Sequence, residues 1–383
     1  MLRLSPGLSA FADDPADGRI AAQLAALLAF AEKALPARAL QQTPVALLAT
    51  EGLRRLDESS AEAVLAACRP VLAASPFQSS DRDVSVLSGA EEGAFAWVAA
   101  NYAAGRLAGG WLDPRATLGV VELGGASAQV TFVPQAAVPA AYRSDVLLPG
   151  RHRFHLYTHS FAGLGLDAVR ATRRSDSSDA CDSVPVGGRG AGAARFAACR
   201  SAAAAALHLD APCAHERCGG GGVFLPPPLA GQRLMAVENF AWVADALALP
   251  PSATLAQLAA AGAALCGQPD AAAAAPEGAL LLDCFGVAYV LAFLSDTVGI
   301  GPQDTRLEWA NDIAGLPIAW PLGALLMRVA DAAPPPPGLL AAAAQLGLGG
   351  LLAAAGGAVL RGPGAAKGFG RSGSGLMAAM VDG

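Results

Sequence analysis

Apolar residues in the first part of the chain alternate between a helical and an extended spacing. Between Asp17, which can cap a first turn, and Pro36, which ends a helix, they recur every three or four positions and predict a helix. Ser59 and Glu62 form a capping-box pattern that predicts the start of another helix. The apolar run at 45–49 predicts a short buried strand between the two helices.

The following segments repeat this alternation and then give a hairpin. The residues at 84–87 predict a strand, and the spacing at 95–107 predicts the helix after it. Two β-rich runs, 118–123 and 128–133, flank the small residues 124–127, a pattern typical of a β-hairpin with a bare tip. The alternation of strands and helices predicts an α/β fold.

The second half contains three segments with a linker composition and one long uncharged stretch. Segments rich in Gly, Pro, Ser or Asp predict linkers at 175–194, 219–228 and 332–337. Residues 338–360 carry no charge over 23 positions, which is long enough to cross a bilayer, and basic residues follow. Because Ala and Gly make up most of this stretch, a membrane anchor and a low-complexity tail stay open as alternatives.

Composition restricts the classes of function. Of the 383 residues, 54% are hydrophobic and 15% charged, against roughly 45–50% and about 25% in an average domain, which excludes overall disorder. The length favours two lobes over one core. The net charge of −6 argues against a nucleic-acid partner, which requires a basic face. Anionic substrates stay open if a metal ion supplies positive charge.

The seven cysteines are distributed unevenly along the chain. Cys68 stands alone, and we expect it to be a buried thiol. The other six follow residue 180: Cys181, Cys199, Cys213, Cys218, Cys266 and Cys284. An even number in one region favours disulfides and an oxidising compartment. Reduced core cysteines are one alternative, and a metal site that includes Cys213, His215 and Cys218 is another.

The tip of the predicted hairpin is the first candidate for chemistry. It consists of residues with small side chains or none: Gly124, Gly125, Ala126 and Ser127. Bare backbone amides can approach an anion, and the Ser127 hydroxyl can bind a phosphate oxygen or a water. Glu122 and Gln129 flank the tip, offering a carboxylate for a metal hydration shell and an amide for positioning water. A simple turn between two half-exposed strands is the alternative.

Two further segments follow predicted strands. The segment 88–93 places Glu91 and Glu92 near a helix N-terminus. A carboxylate there can act as a general base, or it can simply stabilise the helix by interacting with the positive end of its dipole. Thr50 and Arg54 follow the strand at 45–49 and suit contact with a phosphate, although an exposed arginine is the simpler explanation. Because ligands of open α/β sheets collect at strand ends, the segments point to one site.

The histidines and the common nucleophile motifs point to no other chemistry. On the strand predicted at 152–161, His155 and His159 share a face while His152 points away, which argues against a three-histidine metal site on that strand. The chain contains no Gly-x-Ser-x-Gly elbow and no phosphate loop ending in Gly-Lys-Ser/Thr. The sequence therefore argues against a serine hydrolase and a P-loop ATPase.

Taken in order, these segments resemble the nucleoside-phosphatase family that contains apyrases and Golgi nucleoside diphosphatases. The matching stretches are TPVALLATEGLRRL (43–56), VLSGAEEGAFAWVAANYAAG (86–105), LGVVELGGASAQVTFVP (118–134), YTHSFAGLGLDAVR (157–170) and, more weakly, residues 284–322. The resemblance implies two actin-like, RNase-H-like lobes around a nucleotide cleft. It also implies a Ca²⁺ or Mg²⁺ ion that bridges substrate phosphates. The lobes would span 1–116 and 117–331, followed by a tail at 332–383.

Residue roles follow from motif position. The resemblance implies that Glu92 is the base that activates the attacking water, with Glu91 beside it. Thr50 and Glu122 would hold metal-bound waters, and Arg54 would orient nearby carboxylates.

The other implied roles concern the hairpin and the cysteines. The backbone of 124–127 would cradle phosphate, with Ser127 and Gln129 positioning the nucleophilic water. Disulfides would join Cys213 to Cys218 and Cys266 to Cys284.

The chain departs from the family pattern in two places. The family's first phosphate loop, of Asp-x-Gly-Ser-x-x-Thr type, normally precedes the stretch that 6–11 resembles, and this sequence has no such segment. We therefore expect an N-terminally incomplete first lobe, from an internal start or from a truncated and inactive protein. Glu51 also stands where the family commonly has alanine.

The sequence thus favours a metal-dependent hydrolase of nucleoside di- and triphosphates. We expect it in the secretory-pathway lumen (Golgi) or on the extracellular face, with membrane attachment left open. The alternatives are a nucleotide-binding pseudoenzyme without the first phosphate loop, and a sugar or acetate kinase of the same superfamily.

Overall fold

The computed structural model describes residues 4, 6–107, 113–148, 152–174, 181, 190–268, 283–332 and 377–379. It divides the chain into two compact units. The first comprises Met1–Leu112, Leu148–His152 and Trp320–Gly383, and the second comprises Asp113–Leu147 and Arg153–Ala319. The candidate anchor at 338–360 lies outside the described residues. None of the helices that the structure describes is long and apolar enough to cross a membrane.

The first unit packs helices against a parallel sheet. Its elements are α1 (Gly18–Ala34), α2 (Ala37–Leu40), β1 (Val45–Ala49), α3 (Glu51–Arg54), α4 (Glu58–Ala73), β2 (Val84–Val86), α5 (Gly89–Ala103), α11 (Trp320–Ala332) and β11 (Met377–Ala379). The strand order is β11-β1-β2, with both neighbours parallel to β1. All five residues of β1 are buried, as expected for a central strand of a parallel sheet.

Local hydrogen bonds decide where the helices begin. Asp17 caps α1 as predicted, because its side chain accepts from Arg19 N–H. The capping box at Ser59 is wrong: Asp57 occupies the cap and accepts from Ser60 N–H, so the helix begins at Glu58. The helix predicted at 95–107 is α5. It begins six residues earlier, at Gly89, because Ser88 and Glu91 form a capping box there.

The second unit contains a larger mixed sheet. Its elements are β3 (Gly119–Leu123), β4 (Ser127–Phe132), β5 (Arg143–Leu148), β6 (His152–Ala162), α6 (Leu166–Arg174), α7 (Ala191–Ala206), β7 (Leu234–Glu238), α8 (Asn239–Ala246), α9 (Leu255–Cys266), α10 (Cys284–Ala292), β8 (Leu307–Trp309), β9 (Asp312–Ile313) and β10 (Leu316–Pro317). The sheet order is β5-β6-β4-β3-β7-β8. β4 runs antiparallel to β3 and to β6, whereas β7 runs parallel to β3 and to β8.

The two faces of the β3–β4 hairpin differ in character. Val121 on β3 and its partner Val130 on β4 belong to the apolar core of the unit. The opposite face carries buried polar side chains: Glu122, Ser127, Gln129 and Thr131. Since buried polar groups need hydrogen-bonding partners, this face is specialised for polar contacts.

Helix α11 packs closely on α5 through a glycine, Gly323. The predicted second lobe ends at residue 331, whereas α11 belongs to the first compact unit. In α11 the backbone of Gly323 packs directly on the carbonyl oxygen of Phe95 in α5, where a Cβ atom would collide. Close backbone approach of this kind requires glycine.

Three disulfides lie in the second unit. They join Cys181 to Cys199, Cys213 to Cys218, and Cys266 to Cys284. The last two are the pairs that the family resemblance implies. Cys68 is a free, buried thiol in the first unit, and burial raises its pKa to about 11. This thiol is therefore protonated and unreactive at neutral pH.

Candidate functional site

Arg54 connects the polar residues at the sheet edge of the first unit. Its guanidinium donates to the carboxylate of Glu51 at 2.9 Å, to the carboxylate of Glu92 at 2.8 Å and to the carbonyl oxygen of Leu87 at 2.8 Å. β1 and β2 are parallel, so the segments that follow them, α3 and Leu87, lie at the same edge. Glu51 and Glu92 are 5% and 6% exposed, so both carboxylates are buried with a cationic partner.

Neighbouring glutamates at the start of α5 have different surroundings. The Glu91 carboxylate accepts from the N–H and the hydroxyl of Ser88, both at 2.8 Å, and thus completes the capping box of the helix. Glu92 is buried and is held by Arg54 instead. Of the two carboxylates, Glu91 therefore has a structural role, and Glu92 is the candidate base. Thr50 precedes α3 and does not use its hydroxyl to cap it.

In the second unit, the hairpin tip is held through its carbonyl oxygens. The hydrogen bonds, of 2.9–3.0 Å, run from Leu166 N–H to Gly124 O, from Asp167 N–H and Ala168 N–H to Gly125 O, and from Gly163 N–H to Ala126 O. Three of the four donors are in the first turn of α6, whose N–H groups have no partner within the helix. The start of α6 therefore fixes the peptide groups of Gly124 and Gly125, and Gly163, just before the helix, fixes that of Ala126.

The fixed carbonyls determine where the amides of the tip point. In a trans peptide the C=O and N–H groups point in opposite directions. Because α6 holds the carbonyls of Gly124 and Gly125, the N–H groups of Gly125 and Ala126 point away from that helix. Among the backbone hydrogen bonds of the described residues, these two N–H groups have no acceptor. Adjacent outward N–H groups form the concave donor pair that binds anions.

A row of polar side chains extends from the tip across three strands. Glu122 on β3 is opposite Gln129 on β4, which in turn is opposite Ser160 on β6. The Gln129 amide donates to the hydroxyls of Ser127 and Ser160, both at 2.9 Å. Because the Ser127 hydroxyl oxygen accepts from Gln129, its own hydrogen can be donated to a ligand. Glu122 is 4% exposed and Gln129 2%.

Two residues with no role predicted from the sequence, Gly165 and Asp167, lie against the tip. A Cβ atom on Gly165 would collide with the backbone of Gly125, Ala126 and Ser127, so this glycine allows the contact between α6 and the tip. The Asp167 carboxylate lies beside Gly125, 2.8 Å from the point where a Cβ atom would stand. Both residues belong to the 157–170 stretch that carries the family resemblance, and the Gly-x-Gly before a short helix is the signal that could have identified them.

The histidines form no metal site. His155 is hydrogen-bonded to Asp145 at 2.7 Å, while His159 packs on Tyr142 and Phe161. Burial lowers the pKa of His159 to about 4, so its ring is neutral. Over the described residues, the metal-ligating atoms that cluster are sulfurs of Cys181, Cys199 and Cys284, which are in disulfides. Cys213 is also disulfide-bonded, so the metal alternative around His215 is wrong.

Comparison with known sequences gives one family over nearly the whole chain. A family model described as the GDA1/CD39 (nucleoside phosphatase) family matches residues 1–185 and 186–334. Two proteins of Arabidopsis thaliana, named probable apyrase 6 and probable apyrase 4, are 35% and 34% identical to the chain over 378 and 374 residues. Each alignment covers 86% of this chain, which spans 66% of the length of the first relative and 72% of the second.

Two further comparisons concern one half of the chain and the fold. Ectonucleoside triphosphate diphosphohydrolase 5 of Mesocricetus auratus is 41% identical over 172 residues, 44% of this chain and 35% of that protein. The crystal structure of nucleoside triphosphate hydrolases from Neospora caninum aligns with a TM-score of 0.54 at 18% identity, over 75% of this chain and 72% of that one. This likeness confirms the actin-like α/β fold that the motifs implied.

Replacing Gly165 with alanine should disrupt the tip, because its methyl group would overlap three backbone segments. Overpacking costs about 1–3 kcal/mol, which lowers the Tm of a unit of this size by roughly 2–12 °C. The amides of Leu166, Asp167 and Ala168 should also lose protection in hydrogen exchange. Gly301→Ala is the matched control, since no atom lies within 4 Å of its Cβ position. Equal Tm values and equal exchange in the two variants would contradict the contact.

Proposed function

The chain belongs to the GDA1/CD39 nucleoside phosphatase family, and on that basis we propose that it hydrolyses nucleoside tri- and diphosphates to release inorganic phosphate. The observation that carries this proposal is the orientation of the tip: α6 holds the carbonyls of Gly124 and Gly125, so two adjacent N–H groups face outward. Such donors bind phosphate oxygens without a cationic side chain. Phosphoryl transfer depends mainly on positioning and charge stabilisation, which this arrangement supplies.

Glu92 is the general base in this proposal. Arg54 holds one oxygen of its carboxylate at 2.8 Å and the Glu51 carboxylate at 2.9 Å, so the orientation of Glu92 is fixed before substrate binds. Glu92 takes a proton from the attacking water, whose oxygen forms a bond to the terminal phosphorus. The bond from that phosphorus to the bridging oxygen breaks, and its electron pair leaves with the shortened nucleotide.

The hairpin supplies the phosphate-binding and water-positioning groups. The N–H groups of Gly125 and Ala126 donate to oxygens of the transferred phosphoryl group, and the Ser127 hydroxyl adds a third donor. Gln129 fixes that hydroxyl by donating to its oxygen at 2.9 Å, and its carbonyl oxygen can accept from the attacking water. Gly124 contributes by allowing the sharp turn, where its N–H donates to Ser127 O at 2.9 Å.

The residues of the site suit a divalent cation. Apyrases as a family depend on one, and each unit offers oxygens of the kind that bind Ca²⁺ and Mg²⁺: the Thr50 hydroxyl in the first, and the Glu122 carboxylate and Gln129 amide in the second. Glu122 and Thr50 would hold the ion through water, as motif position implies. The bound ion would neutralise charge on the substrate phosphates.

The proposed location is the secretory-pathway lumen (Golgi) or the extracellular face. Three disulfides favour an oxidising compartment. One relative is named an ectonucleoside triphosphate diphosphohydrolase, which agrees with this location. Membrane attachment through residues 338–360 stays a prediction.

Glu92→Gln should lower the turnover of ATP and ADP by about 10²–10⁴-fold, because the amide cannot accept the proton of the attacking water. Release of inorganic phosphate measures the effect. Glu91→Gln is the matched control: glutamine preserves the capping box, and turnover should stay within about twofold of the parent chain. Full turnover in Glu92→Gln, or equal losses in both variants, would sink the assignment of the base. Nucleotide binding without any turnover in the parent chain would favour a pseudoenzyme.

Removal of divalent cations with EDTA should abolish phosphate release, because the proposed reaction depends on a bound cation to balance the charge of the phosphates. Added Ca²⁺ or Mg²⁺ should restore it, whereas Na⁺ at equal ionic strength should not. Comparison of the two divalent ions identifies the preferred one. Turnover that persists in EDTA would contradict a role for the cation.

A further inference from the structure

Arg170, on α6, is a buried arginine with only part of its guanidinium hydrogen-bonded. The residue is 4% exposed, and its Nη2 donates to Asp283 Oδ1 at 2.6 Å. Its Nε and Nη1 are buried without a hydrogen-bond partner in the structure as described. A buried group in this state is unusual and requires an explanation.

Stability does not explain this arginine. Burial of a charged pair costs desolvation that the attraction between its members offsets only with good geometry and full hydrogen bonding. Here two of the three guanidinium nitrogens lack a hydrogen bond. Leu166 and Val169 of the same helix are buried core residues, so an apolar side chain of similar volume would also suit this helix. The arginine therefore serves another purpose.

Its position suggests that purpose. Arg170 lies one helical turn after the residues whose amides hold the carbonyls of Gly124 and Gly125. Its Nη1 is 3.9 Å from Oδ1 of Asp167, whose own N–H is one of those donors and whose carboxylate lies beside Gly125. The guanidinium thus lies between the first turn of α6 and Asp283.

Asp283 is itself fixed to a core helix. It caps α10, and the same Oδ1 accepts from Gly286 N–H at 2.6 Å. Residues 284–290 of α10 are all buried. From the same helix, the Tyr289 hydroxyl donates to the carbonyl oxygen of Leu164 at 2.7 Å. Two side-chain contacts therefore connect α10 and its cap to the segment 164–170, whose N–H groups hold the hairpin tip.

We propose that Arg170 is a positioning residue for phosphate binding: it holds α6 against α10 through Asp283 and so keeps the N–H groups of Gly125 and Ala126 directed at the substrate. This inference rests on the proposed function. A small movement of α6 rotates the peptide planes of the tip, because their carbonyls move with their donors. Hydrogen bonds weaken steeply when their angles degrade, so a small rotation is sufficient to weaken phosphate binding.

Kinetics of three variants and one control test the proposal. Arg170→Met removes the charge and the contact, Arg170→Lys keeps the charge and one donor, and Asp283→Asn keeps the cap of α10 but removes the partner charge. Arg200→Met is the matched control, because Arg200 forms an ion pair with Asp296 in the same unit, at 2.6 Å, and over the described residues its side-chain hydrogen bonds go to Ser295 and Asp296, outside α6 and the tip. Thermal unfolding identifies the folded fraction of each variant.

We expect Arg170→Met to raise the KM for ADP and to lower kcat/KM by about tenfold or more. Asp283→Asn should change both in the same direction, and Arg170→Lys should recover most of the loss. Arg200→Met should lower the Tm but leave KM and kcat/KM within about twofold. The same order should hold for the equilibrium affinity, measured by calorimetry in the presence of Ca²⁺ with α,β-methylene-ADP in place of ADP, because the chain would hydrolyse ADP during the titration.

Two outcomes would overturn the inference. In the first, folded Arg170→Met and Asp283→Asn bind α,β-methylene-ADP as tightly as the parent chain. In the second, Arg200→Met weakens binding as much as they do, so that the effect is one of stability alone. The proposed function fails separately, if the parent chain binds ADP but releases no phosphate. The affinity measurements still decide the role of Arg170 in that case.

Discussion

The attachment of the hairpin tip to the first turn of α6 is the constraint on which the site depends. A glycine-rich tip is flexible by itself, and its amides have no preferred direction. Four hydrogen bonds to three consecutive carbonyls remove that freedom and turn the N–H groups of Gly125 and Ala126 outward. Gly165 permits the close approach of α6 to the tip. The buried helix α10 holds α6 and the residues before it in place, because Asp283 accepts from Arg170 and Tyr289 donates to Leu164 O. The position of the tip is therefore fixed by contacts with the core.

This arrangement also explains how an acidic protein can belong to a family that acts on anions. The chain has a net charge of −6. The half-buried arginine beside the candidate base, Arg54, already has two carboxylate partners, Glu51 and Glu92, and so orients them. In the proposed reaction, the backbone dipoles of the tip bind the phosphates instead, and a divalent cation held through Thr50 and Glu122 would neutralise their charge. Dipoles that are fixed before substrate binds need no reorganisation during the reaction, which is what makes them effective.

Much of this could be predicted from the sequence, because local patterns determined it. Apolar spacing predicts the strand at 45–49 and the hairpin around 124–127. The topology of parallel sheets then predicts that Thr50, Arg54 and Glu92 lie near the ends of strands. The role of Gly165 could not be predicted, since it depends on a contact between segments about 40 residues apart. Arg170 was missed for a similar reason, because its partner Asp283 lies more than a hundred positions away. The family resemblance singled out Glu92, but the structural role of Glu91 in the capping box was not predicted, because the sequence alone does not show which of the two side chains turns back to the helix start.

The central claim is that the outward amides of the tip bind phosphate. The most direct measurement follows the amide resonances of Gly125 and Ala126 by NMR during titration of the isotopically labelled chain with Ca²⁺ and α,β-methylene-ADP, an ADP analogue with a bridge that the chain cannot hydrolyse. We expect the shifts of these two resonances to be saturable and among the largest in the spectrum, while the amides of Asp167 and Ala168, which donate to the tip carbonyls, stay protected from exchange. Saturable binding of the analogue with the Gly125 and Ala126 resonances unchanged would contradict phosphate binding by the tip.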